Sequence, residues 1–211
     1  MPQNDKIVAQ PEKESINMIN KVLEIMKVNK GIITSSQIEN CGIPRIYLSK
    51  MVEKNIIQRI DRGIYATNVY KYDEYHLFQL KYPKTVFSYN TALYFYGMTE
   101  RTPIKMDISI SKNYNPHRFK ELVNVYRIND ELFELGIINK TSPQGMNVRV
   151  YNLERTICDI IKDKDSMDIE IRNKAIKKTK KSKEFNASKM FDYAKKMNIY
   201  NKVKDYMEAI I

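Results

Sequence analysis

Histidine is scarce in this 211-residue chain: His76 and His117 are the only two, and neither has a Cys or His neighbour at metal-ligand spacing. A zinc site is therefore not expected. Glycine is scarce as well, and none of the six belongs to a phosphate-cradling loop. No Gly-x-Ser-x-Gly elbow occurs. The segment Asp107-Ile-Ser-Ile-Ser-Lys112 resembles a nuclease strand, but it lacks a second carboxylate two residues before the lysine, so two-metal phosphodiester chemistry has no evident ligand set. An ordinary alternating strand accounts for it better. These absences point to a non-enzyme with no metal and no cofactor. The two cysteines, Cys41 and Cys158, fall in expected helices and read as small buried hydrophobes in a reducing compartment. No apolar run approaches the roughly 18 residues that cross a bilayer. Met1 to Pro11 has no hydrophobic signal-peptide core, so a cytoplasmic location is expected.

What is present is charge, unevenly placed. The hydrophobic share of 43% and the charged share of 29% are ordinary for a globular protein, and the length allows one large domain or two small ones. The formal net charge is +11. Between Arg172 and Lys204 stand twelve Lys or Arg against Glu184 and Asp192 alone, a surplus of ten. A field that concentrated attracts polyanions or an acidic protein surface. Its candidate contacts are Lys174, Lys177, Lys178, Lys180, Lys181, Lys183, Lys189, Lys195 and Lys196, facing DNA, RNA or a partner protein. A solvated helix face without a specific partner is the competing reading.

Residues 1–11 carry no periodicity and are expected to form a loose tail. Ile16, Ile19, Leu23 and Met26 recur at helical spacing, predicting a first helix from about Glu12 to Val28 that ends at Gly31. Thr34 or Ser35 can cap a second helix running to about Cys41. Gly42-Ile43-Pro44 breaks the chain, with Pro44 suited to the first turn of a third helix reaching about Lys54. At 100° per residue, Pro44, Leu48, Met51 and Val52 share an inward sector. Tyr47, Lys50 and Lys54 lie opposite, beside Ile46. Ile56, Ile57 and Ile60 precede the turn signal Asp61-Arg62-Gly63, predicting a short hairpin.

Helix, helix, sharp turn, helix and hairpin is the order of a winged helix-turn-helix, whose last helix fits the major groove. The candidate DNA-binding residues are Ser35, Ser36, Arg45, Tyr47, Ser49, Lys50, Lys54, Arg59 and Arg62. Helix residues among them can reach base edges and phosphates, while the two hairpin arginines can reach the backbone or a minor groove. A winged helix used only for protein contacts is the competing account.

Three blocks carry a family resemblance. Gly31-Ile-Ile-Thr, Gly42-Ile-Pro-Arg45, Leu48 to Val52 and Arg59-Ile-Asp-Arg-Gly-Ile-Tyr65 resemble the N-terminal domain of AbiEi-family antitoxins. Phe87-Ser-Tyr-Asn-Thr-Ala-Leu-Tyr-Phe-Tyr-Gly97 and Val150-Tyr-Asn-Leu-Glu-Arg-Thr-Ile-Cys-Asp159 are similar to later segments of that family. The resemblance spans roughly residues 16–161. It implies a type IV toxin–antitoxin protein that represses its own operon at inverted repeats. It also implies a nucleotidyltransferase toxin of the AbiEii type as functional partner, opposed without any need for a stable complex. Lys50 and Lys54 stand where many relatives have arginines, so the operator sequence is not carried over.

From Asp73 onward the chain reads as mixed, with strands at 86–87, 106–110, 123–128 and 147–151 forming a small antiparallel sheet. Helices are expected at 73–81, 90–96, 153–161, 167–178, 187–197 and 203–211. The class is α+β: a winged helix-turn-helix at 12–72, then a C-terminal antitoxin domain at 73–211. Asn152 is a candidate N-cap. Glu154 suits the helix start, and Arg155 and Asp159 are spaced for an intrahelical pair, a scaffold role rather than a site. Besides the antitoxin and autorepressor, a stand-alone winged-helix regulator and a DNA-targeted modifying enzyme remain as functional readings.

Overall fold

The computed structural model describes residues 9–67, 72–164 and 167–209. The chain divides into two compact units, 1–72 and 73–211, each with its own core.

The first unit begins with α1 (Ala9–Val28), so residues 9–11 of the expected tail are helical, and residues 1–8 lie outside the described residues. The inward stripe of α1 is Ile19, Val22 and Met26. Ile16, expected on that stripe, is instead 58% exposed, because the core begins one turn later. Gly31 ends the helix at φ +85, its N–H donating to Met26 O at 2.7 Å. Next come β1 (Ile32–Thr34), α2 (Ser35–Asn40), α3 (Ile46–Glu53), β2 (Gln58–Asp61) and β3 (Ile64–Ala66). The strands form an antiparallel sheet in the order β1-β3-β2. β1 is an element the sequence reading did not separate from the helices around it. Ile33, Ile38, Ile43, Leu48, Met51 and Ile57 join the α1 stripe in one cluster.

The second unit is α+β as expected. Its elements are α4 (Glu74–Lys81), β4 (Val86–Phe87), α5 (Tyr89–Phe95), β5 (Asp107–Ser111), β6 (Asn124–Ile128), α6 (Asp130–Phe133), β7 (Ile137–Thr141), β8 (Asn147–Tyr151), α7 (Leu153–Lys162), α8 (Ile169–Lys180), α9 (Ala187–Lys196) and α10 (Tyr200–Ala209). The five strands run β6-β5-β4-β8-β7. The sheet is mixed, not antiparallel: β5 runs parallel to β6 and β4 parallel to β8. Residues 112–123 make a crossover between β5 and β6, and strand alternation carries no information about such a return path. β7 and α6 also escaped the sequence reading, because Ile137-Ile-Asn-Lys-Thr141 at a sheet edge has little apolar alternation.

Side chains on successive strand residues face opposite ways. Phe87, Ile108, Ile110, Val148 and Val150 face one side with Tyr75 and Phe119. Val86, Tyr151 and Tyr126 face the other. There α7 contributes Leu153, Ile157, Cys158, Ile160 and Ile161 to a cluster shared with Ala175, Ile176, Met190, Ala194, Val203 and Met207. Asn152 caps α7, its Oδ1 accepting from Arg155 N at 2.9 Å. Arg155 Nε donates to both oxygens of Asp159 at 3.0 Å, and its NH1 donates to Leu132 O and Leu135 O at 2.6 and 2.9 Å. With side chains 1% and 2% exposed, this pair ties α7 to the loop before β7. The expected scaffold role is what the geometry shows.

Candidate nucleic-acid interface

The interface is built from a capped turn outward. Thr34 Oγ1 accepts from Gln37 N at 3.2 Å while Thr34 N donates to Gln37 Oε1 at 2.8 Å, a reciprocal capping box that fixes the start of α2. Between the two possible caps, Thr34 is the one used. Ser35 N donates to Gly63 O at 2.8 Å, tying the hairpin tip to the same helix start. This contact corrects one candidate: Ser35 is 9% exposed and packs beneath Gly63, so it is not presented to a duplex. Ser36 is exposed.

After α2, Gly42 adopts φ +72 and Ile43 drops into the core. Cys41 caps α2 and is exposed, contrary to the buried role expected of it; Cys158 is buried, and desolvation pushes its thiol up to about 12. Pro44 lies outside α3 and is exposed, a second departure from the helical-wheel reading, because Arg45 supplies the N-cap and the wheel begins at Ile46. Leu48 and Met51 anchor α3 inward at 1% and 0% exposure.

The outward face carries Ile46, Ser49 and Lys50, with Lys54 at the C-cap. Tyr47, expected on the exposed face with Lys50 and Lys54, is instead half-buried and packs against the edge of the core, and Lys50 Nζ lies 5.4 Å from its ring centroid. This cation–π contact holds the ammonium along the helix surface. Arg45 is exposed but forked onto Glu39: Nε to Oε1 at 2.5 Å and NH2 to Oε2 at 2.6 Å. Glu39 was missed by sequence reading, and its signal was an opposite charge six residues away across a turn.

The hairpin β2–β3 reverses at Arg62-Gly63, with Gly63 at φ +74. A register shift between Arg59 and Asp61 twists β2. Arg59 and Arg62 are both exposed; Arg59 Nε donates to Asp61 O at 3.3 Å, and Arg62 N donates to Asp61 Oδ1 at 2.6 Å. The unit thus brings together Arg45, Tyr47, Ser49, Lys50 and Lys54 near α3, and holds Arg59 and Arg62 on a hairpin tied to α2.

The basic stretch of the second unit is less uniform than its composition. Arg172 is buried, its Nε donating to Tyr206 Oη at 2.8 Å and its NH1 to Lys164 O. Lys180 Nζ donates to Met207 O at 2.8 Å. Lys174, Lys189 and Lys195 sit 3.8, 3.9 and 3.7 Å from Glu100, Glu154 and Asp192. Lys177, Lys178, Lys181, Lys183 and Lys196 are exposed and have no ion pair among the described residues.

Residues 21–68 match the model of a family described as transcriptional regulator, AbiEi antitoxin. Over these residues, less than half of its length, the chain is similar to that family. The match covers the capping box, the turn, α3 and the hairpin described above. A crystal structure of the RV2827C protein from Mycobacterium tuberculosis is similar at 11% identity, over 89% of this chain and 77% of that one, with a TM-score of 0.43. No curated protein matches the chain. Among the described residues, no helix is long and apolar enough to cross a membrane.

Proposed function

We propose that this chain is the antitoxin of a type IV toxin–antitoxin system and also represses its own operon. In this reading α3 enters the major groove of inverted repeats, with Tyr47, Ser49 and Lys50 toward the bases and Ser36, Lys54, Arg59 and Arg62 on phosphates. Arg45 reaches DNA from its Glu39 fork. The supporting observation is the outward cationic face of α3 beside a hairpin fastened to α2, within residues matched to a family of regulators and antitoxins. Residues 73–211 form the antitoxin domain, acting in the cytoplasm against a nucleotidyltransferase toxin without requiring a stable complex. Its exposed lysines at 177, 178, 181, 183 and 196 are the surface for DNA, RNA or toxin.

The experiment has two arms. The purified chain is tested for a sequence-specific mobility shift on the promoter upstream of its own gene, and cells carrying the neighbouring nucleotidyltransferase are tested for rescue by the chain. Shift and rescue together are expected. A shift without a neighbouring toxin favours a stand-alone regulator, a reading supported by the family match ending at residue 68. Absence of any shift removes both.

A further inference from the structure

A cleft of about 490 Å³ opens in the second unit between the end of α7 and strand β6. Five consecutive residues, Val125 to Asn129, line it. Alternating side chains cannot all face one cleft, so the wall is the outer edge of β6. That edge pairs with no strand among the described residues, since β6 ends the sheet order. It therefore offers backbone donors and acceptors to whatever enters.

Three side-chain features surround this edge. Tyr126 is half-buried in the wall and stacks on Tyr89, with centroids 3.7 Å apart and planes at 19°. Tyr89 holds φ +44, a conformation that bulky residues rarely adopt and that clusters at ligand sites. Asp159 lies on the cleft lining with its side chain 2% exposed. Among the described residues its two oxygens share a single donor, Arg155 Nε, because the NH1 of that arginine is turned to two carbonyls. A buried carboxylate has about four acceptor sites, so most of its capacity is unused. Lys162 lines the cleft and is exposed, and outside the lining Lys202 brings its ammonium to Lys162 O at 2.6 Å. Asp163 also lines the mouth, which leaves the lysine side as the anionic entry.

An aromatic wall, an under-used carboxylate, an open strand edge and a cationic rim recognise different parts of one molecule. The geometry points to a nucleotide: its base lies against Tyr126, its amino edge donates to Asp159, and its phosphate meets Lys162 and Lys202. The volume lies within the usual range for small-ligand sites, about 300–1,000 Å³. This site is independent of the winged helix and of its DNA reading.

The test is calorimetric titration of the full chain with AMP, GMP, CMP and UMP, with ribose 5-phosphate as the base-free control. A saturable one-to-one response to at least one mononucleotide is expected, and none to ribose 5-phosphate. Loss of a base–aromatic stack weakens binding by about tenfold or more, so Tyr126→Leu is expected to do so. Exposed Lys162→Ala provides a second weakened variant should Tyr126→Leu fail to fold. A single-stranded oligonucleotide of the preferred base separates sources: tighter binding than the mononucleotide assigns the site to a strand end, and weaker binding to the free nucleotide. No saturable response to any mononucleotide, equal binding of ribose 5-phosphate, or wild-type affinity in Lys162→Ala would overturn the assignment.

Discussion

Four exposed cations on α3 and the hairpin, Lys50, Lys54, Arg59 and Arg62, give the account its most quantitative consequence. Each cation resting on a phosphate releases about 0.9 counterion when it binds duplex DNA, so each contributes about 0.9 to the slope of log K against log salt. Between about 50 and 200 mM salt, one such contact therefore changes affinity by about 3.5-fold. Replacing all four by alanine flattens the slope by about 2.7 through the three cations assigned to phosphates, and by about 3.6 if Lys50 meets a phosphate as well. None of the four fills the core, so the variant is expected to keep its fold, checked by thermal melting. The assay is a mobility shift or anisotropy titration on operator duplex and on scrambled duplex at several salt concentrations. Lys50→Ala separates two roles: a phosphate contact weakens both duplexes alike, whereas a base contact weakens the operator more. Arg45→Ala is expected to cost less than Arg62→Ala, because Glu39 already neutralises Arg45 through two bonds. An unchanged slope in the fourfold variant would refute the reasoning.

Other consequences follow from packing. Leu48→Ala removes a side chain 1% exposed at the heart of the first cluster, and should cost about 2–5 kcal/mol in chemical denaturation of the winged-helix transition. Arg155→Ala should cost about 3–5 kcal/mol, since it strands the buried Asp159 carboxylate; unchanged denaturation would deny the clamp its role. Gly136→Ala places a methyl 2.8 Å from Arg155 Cβ at φ +85, so a lowered melting temperature is expected and wild-type stability would contradict it. Residues 1–72 alone are expected to bind operator but not to rescue cells from the toxin, which expression of the fragment beside the toxin checks.

The legible parts of the fold were those where one local signal sufficed. Gly42 and Gly63 announced their turns, and the spacing of Leu48 and Met51 oriented α3 correctly. Asn152 and the Arg155–Asp159 spacing foretold the start of α7. What escaped depended on distant chain. β1 is three residues long and is a strand only because Ile64 to Ala66 pair with it. Ser35 reads as an exposed cap from sequence, yet the return of Gly63 covers it. The parallel pairing of β5 with β6 follows from a crossover, which alternation cannot encode. The basic stretch was legible as charge but not as geometry: Arg172 turned inward to Tyr206 and Lys180 to a helix carbonyl. The cleft beside Tyr126 was invisible, because its parts lie on α5, β6 and α7.

The most direct test is an amide NMR titration of the isotope-labelled full chain with its operator duplex. The account predicts that the largest shifts fall on Ser36, Tyr47 to Lys50, Lys54 and the hairpin at Arg59 to Gly63. Shifts confined to residues 73–211, or none at saturating duplex, would contradict the claim that α3 and its hairpin are the DNA-reading surface.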